Sequence, residues 1–162
     1  MRVIYLHGFA SSPSSRKAQV FAERLREAGV SCDIPALDGG DIFHLTISRQ
    51  LAVIDAVAAG EPVTLIGSSM GGYLAALYAA SHANVERLVL LAPAFGFARR
   101  WPERLGEEAV AQWRAEGSME VFHYAAGEPR RVGVALLDDG ARYRDFQDVR
   151  QPAMRFHGTL DE

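Results

Sequence analysis

Gly67-Ser68-Ser69-Met70-Gly71-Gly72 closes the apolar run Val63-Thr64-Leu65-Ile66 and opens the Ala- and Leu-rich stretch Tyr73-Leu74-Ala75-Ala76-Leu77-Tyr78-Ala79-Ala80. A Gly-x-Ser-x-Gly at the junction of a buried strand and a helix is the pattern of a nucleophile elbow. The turn is so sharp that side chains beside the serine would collide, which calls for glycine at Gly67 and Gly71. It holds the serine in a strained conformation that lifts its hydroxyl clear of the sheet. The bare pattern also arises by accident in glycine-rich turns, and its setting between strand and helix is what gives it weight. Ser69 is therefore the candidate nucleophile, and Ser68 is expected to point into the fold.

A serine that attacks an acyl carbon creates an oxyanion, and backbone N–H donors must already be aimed at it. Tyr5-Leu6-His7-Gly8-Phe9-Ala10-Ser11-Ser12-Pro13 follows the first apolar run directly and supplies a turn for that purpose. Gly8 lets the chain pass close to the active centre. The expected donors are the N–H groups of Phe9 and of Met70, the residue after the nucleophile. Exchange of Gly8 or Gly71 for a bulkier residue is expected to displace a donor.

These residues need a sheet to hold them. Short apolar runs at Val3 to Leu6, Val63 to Ile66, Leu88 to Leu91 and Ala153 to Phe156, with a weaker one at Ser31 to Ile34, alternate with helical patterns. The helical stretches are Arg16 to Ala28, Ile47 to Ala59 and Gly72 to Ala80, with Gly29 and Gly60 as stops for two of them. Such alternation implies right-handed crossovers and a mostly parallel, five-stranded α/β sheet with helices on both faces. Residues 95–150 mix aromatic, helical and strand-like signals with many charges. No Pro-, Gly- and Ser-rich linker sets them apart, so they read as a lid-like insertion between sheet strands within one domain spanning 1–162.

The 162 residues are 49% hydrophobic, enough for a continuous core. The formal net charge is -3. Arg99-Arg100 and Arg130-Arg131 are isolated pairs that read as solvated surface charge, so no basic footprint for nucleic acid or an anionic membrane is expected. The N-terminus has neither a signal-peptide core nor a membrane span, and a cytoplasmic location is expected. Cys32 is the one cysteine and reads as a small buried filler. No Cys/His cluster has metal-ligand spacing, and no metal or cofactor is expected.

Leu6-His7-Gly8-Phe9-Ala10-Ser11-Ser12-Pro13, then Lys17-Ala18, Ile66 to Tyr73, Leu91-Ala92-Pro93-Ala94 and Phe156-His157-Gly158-Thr159-Leu160-Asp161-Glu162 resemble the small α/β-hydrolase esterases of the YqiA/YcfP type. The resemblance spans nearly the whole chain. It implies a reduced α/β-hydrolase fold without the first two antiparallel strands, and hydrolysis of carboxylic esters or thioesters. Ser69 matches the nucleophile, and Asp161, in Gly-x-x-Asp after the late strand, matches the triad acid.

In α/β-hydrolases the triad runs Ser, acid, His, and no histidine follows Asp161 here; a last strand, a base-bearing loop and a closing helix are expected to be missing. Among the five histidines, His7 and His157 read as structural residues of their turns. His44 and His82 read as solvated or capping groups without an acid partner, and His123 is the least predictable. Two readings follow: an ester or thioester hydrolase acting through an acyl-enzyme on Ser69, in a truncated form or with the missing segment supplied some other way, or a catalytically silent relative that uses the pocket to bind a small ligand. If the chain ends at Glu162, strand 153–157 is expected to be a sheet edge open to pairing in a homodimer.

Overall fold

Apolar runs separated by amphipathic helices assemble into one parallel sheet in a computed structural model that describes residues 1–158. Its strands are β1 (Arg2–Leu6), β2 (Ser31–Asp33), β3 (Val63–Ser68), β4 (Val85–Leu91) and β7 (Ala153–Phe156), in the order β2-β1-β3-β4-β7. All four pairings are parallel. The chain moves outward from β1 to β2 and then returns to lay β3 on the other side of β1. This reversal opens a crevice beyond the carboxyl ends of β1 and β3. Register fixes what meets there: Leu6 lies beside Gly67, and Ser68 beside Leu91.

Period-two alternation along β1 sends Ile4 and Leu6 to one face and Val3 and Tyr5 to the other. The first face packs against α2 (Ile47–Ala58) and α3 (Met70–Ser81) through Ile54, Leu74 and Tyr78, which join one buried cluster with Leu65 and Leu88. The second face is covered by α1 (Arg16–Glu27), whose Ala18, Phe21 and Leu25 pack with Val3, Tyr5 and Ile66. Ser15 caps α1 by accepting from the Ala18 N–H, and Thr46 caps α2 by accepting from the Arg49 N–H.

Some details depart from the sequence reading. β4 begins at Val85, three residues before the expected Leu88, because Glu86 and Arg87 are exposed strand residues whose charge masks the pattern. The left-handed residue that ends α2 is Ala59, φ 51°, ahead of Gly60. Cys32 is half-buried, beside Val3, Tyr5 and Ile66.

Between the neighbours β4 and β7 the chain makes a long excursion: α4 (Phe97–Leu105), α5 (Glu107–Glu116), the antiparallel hairpin β5 (Ser118–His123) with β6 (Glu128–Gly133), and α6 (Ala135–Gly140). Trp113, Val132 and Leu136 from this segment join the same buried cluster as Ile54 and Leu65. The Trp113 indole N–H donates to the Val132 carbonyl at 3.1 Å, so its one polar group is satisfied inside that core. β7 pairs with β4 alone among the described residues, and its four side chains are exposed.

Candidate active site

Ser69 stands where β3 turns into α3, with φ 53° and ψ -118°, a combination costly for any residue with a Cβ. Its neighbours leave no room to relax. A Cβ on Gly67 would strike the Gly71 carbonyl and come within 2.6 Å of the Gly72 Cα, and one on Gly71 would strike the Leu6 carbonyl and the His7 oxygen, the latter at 2.6 Å. The two glycines are thus required by backbone packing against α3 and β1. Gly8 differs: a Cβ there would make ordinary contacts of 3.5 Å with the Ser69 Cβ and 4.0 Å with its Oγ. An added Cβ is thus tolerated at Gly8 and not at Gly71.

The strained turn is held by backbone bonds on both sides. The Ser69 N–H donates to the Leu91 carbonyl at 3.0 Å, and the Ser69 carbonyl accepts from Gly72, Tyr73 and Ala94 at 2.9, 3.2 and 3.0 Å. The side chain is exposed to a cavity of about 1030 Å³ that also exposes Gly8 and Phe9. Among the described residues neither the Phe9 N–H nor the Met70 N–H has a hydrogen-bond acceptor, and Met70, the first residue of α3, has no intrahelical partner for its donor. Both amides are thus without an acceptor among the described residues.

Ser68 is buried, as expected, but its Oγ reaches the cavity wall and accepts from the Lys17 ammonium at 3.2 Å. Burial raises the pKa of the neighbouring Tyr5 phenol, with the Ser68 hydroxyl acting against that rise. Lys17 enters the sequence reading as part of the family motif, with no role assigned to it. Arg100, read as solvated charge, also lines the cavity; Arg99, Arg130 and Arg131 instead pair with carboxylates. A tertiary arrangement brings α1 and α4 to one wall, and no local spacing records it.

The histidines divide by what their rings touch. His7 is buried; its Nε2 accepts from the Leu37 N–H at 3.3 Å, leaving the proton on Nδ1, which faces the Gly8 carbonyl at 3.0 Å. Desolvation pushes its pKa down. With both nitrogens engaged it is a neutral strut of the turn. His44 and His82 do have acid partners, Asp41 at 2.7 Å and Asp55 at 3.6 Å, contrary to the sequence expectation, but neither lines the cavity. His123 Nδ1 accepts from the Ala126 N–H at 3.1 Å. His157 lines the cavity with Ser69. Among the described residues no imidazole hydrogen-bonds to Ser69. Asp161 lies outside the described residues. No group of His, Cys, Asp and Glu among them is arranged to hold a metal ion, and no described helix is long and apolar enough to cross a membrane.

A parallel sheet, a glycine-bracketed serine in a strained strand-to-helix elbow, and a glycine turn beside it define the α/β-hydrolase fold. Solved structures agree. A provisionally named hydrolase of Agrobacterium vitis S4 superposes with a TM-score of 0.77 at 29% identity, over 95% of this chain and 66% of that one. Mouse α/β hydrolase domain-containing protein 10 matches with a TM-score of 0.77 at 20% identity, over 99% and 70%. Est1E of Butyrivibrio proteoclasticus with bound ferulic acid gives 0.77 at 21% identity, over 97% and 68%. The chain thus spans about two thirds of the length of these structures. Residues 2–135 match the model of the uncharacterised protein family UPF0227, and the chain belongs to that family. No curated protein matches it.

Proposed function

We propose that this protein is a serine hydrolase that cleaves carboxylic esters or thioesters through an acyl-enzyme on Ser69. The observation that carries the reading is the exposed Ser69 at φ 53°, facing the cavity, with the Phe9 and Met70 amides unpaired among the described residues. Ser69 Oγ attacks the acyl carbon and gives up its proton to a base; the oxyanion is held by the N–H groups of Phe9 and Met70; the alcohol or thiol leaves with a proton. Water then attacks the acyl-enzyme, releasing the carboxylic acid and restoring Ser69. The resemblance to the small α/β-hydrolase esterases makes Asp161 the triad acid of this reading. The α/β-hydrolase neighbours support hydrolysis.

The base is the open element, since an unassisted serine hydroxyl is a poor nucleophile. His7 is spent on Leu37, so among the described residues His157 is the one histidine that lines the cavity with no hydrogen bond to its ring. That same observation favours the rival reading, a silent pocket that binds without turnover. A fluorophosphonate probe decides between them. Adduct formation on Ser69, with turnover of p-nitrophenyl esters that falls about four to six orders of magnitude in Ser69→Ala, is the expected result. Loss of turnover in His157→Gln would make His157 the base, and unchanged turnover would exclude it. No adduct and no turnover would leave the binding protein.

A further inference from the structure

The wall of the Ser69 cavity has a charge opposite to that of the protein. The chain as a whole carries -3, whereas the ionic side chains lining the cavity are Lys17, Arg100 and Arg104, with no aspartate or glutamate beside them among the described residues. Arg100 and Arg104 lie one turn apart on α4 and so share a face. Neither has a carboxylate partner among the described residues. Arg99 of the same helix shows what a paired guanidinium looks like here: it donates to Asp145 at 2.8 Å and to Glu103 at 3.1 Å, and it stands away from the cavity. Lys17 spends one donor on the neutral Ser68 hydroxyl.

The same helix supplies an apolar surface. Trp101 packs on Phe9 and on Phe97, each with ring centroids 4.9 Å apart, and all three rings line the cavity. Cations gathered in a concave site draw anions to it. The planar guanidinium fork matches carboxylate and phosphate oxygens, two at a time.

On the reading of this cavity as the substrate site, we propose that the substrate carries, besides its ester or thioester and an apolar segment for the aromatic wall, a second group that is anionic, a carboxylate or a phosphate, held by Arg100, Arg104 and Lys17. A plain neutral fatty ester leaves those cations unanswered.

Binding to Ser69→Ala protein tests this without turnover. The probes are N-methyloctanamide and its analogues bearing a carboxylate or a phosphate at the far end of the chain, titrated by calorimetry at low and high salt. At least one anionic analogue is expected to bind about tenfold more tightly than the neutral amide, with the advantage shrinking as salt rises. Whichever anion gains more identifies the source. The doubly substituted Arg100→Gln, Arg104→Gln protein, changed at two exposed positions, should lose most of that ratio, and Arg99→Gln should keep it. Equal affinities, or a ratio that survives the double substitution, overturn the proposal. An anion preference in a protein whose Ser69 resists fluorophosphonate would defeat the hydrolase reading and leave the anion site standing. Ser69-dependent turnover with equal affinities would do the reverse.

Discussion

The Ala94 N–H donates to the carbonyl of Ser69 at 3.0 Å, tying the loop after β4 to the backbone of the strained residue itself. With the Ser69 N–H bonded to Leu91, both peptide groups of the serine are anchored by one neighbouring strand and its exit loop. The unfavourable dihedrals are thereby over-determined by tertiary bonds, as strained functional positions require.

The elbow glycines should separate from Gly8 by experiment. Gly67→Ala and Gly71→Ala drive a methyl group into backbone, and each is expected to cost about 3 kcal/mol or more, read as a lower urea midpoint. Gly8→Ala should fold near wild-type stability while its methyl, about 4.0 Å from the Ser69 Oγ, slows acylation. Equal stability losses at Gly8 and Gly71 would contradict the packing described.

His7 gives a pH signature. Burial lowers its pKa in the folded state below the unfolded value of about 6.5, so the unfolded chain binds the extra proton first. Stability from this site is intact above that pH and is lost as pH falls through it toward the folded pKa. Urea midpoints measured from neutral to mildly acidic pH should drop, and His7→Gln, which cannot titrate, should flatten that part of the curve.

Two phenols act at the other end of the scale. Burial pushes Tyr73 and Tyr78 up to about 12, with Asp145 contributing at Tyr73 and Asp55 at Tyr78. The folded state holds these protons after the unfolded chain would release them near 10, so stability falls as pH rises from about 10 toward 12. Absorbance titration should show a late phase that shrinks in Tyr73→Phe and in Tyr78→Phe. Tyr73→Phe also removes the bond to the Arg144 carbonyl, 2.9 Å long, for a loss of about 1 kcal/mol.

β7, paired with β4 alone among the described residues, carries exposed Met154 and Phe156. Edge pairing of two copies predicts a mass that rises with concentration in light scattering, and Met154→Lys with Phe156→Lys should shift it to the monomer. A monomer at every concentration in the unaltered chain would exclude that pairing.

Much of this architecture was legible because it rests on local periodicity. Val63 to Ile66 reads as a buried strand, and the glycines that follow announce a turn that only they can make. The hairpin strand Glu128–Gly133 was not legible, since Glu-Pro-Arg-Arg has no apolar alternation and its exposed residues are held by pairing with β5. Nor were Lys17 and Arg100, whose place beside Ser69 depends on how α1 and α4 dock. The Leu37 amide that occupies His7 lies 30 positions away, beyond the reach of any spacing rule.

Because φ 53°, ψ -118° suits glycine far better than serine, Ser69→Gly should raise the melting temperature while removing the hydroxyl. A lineage with no use for that oxygen could gain roughly 1 kcal/mol by a single codon change. Position 69 therefore serves as an evolutionary gauge: a serine kept there across related genomes would measure continuing selection for its chemistry, and drift to glycine would date its loss.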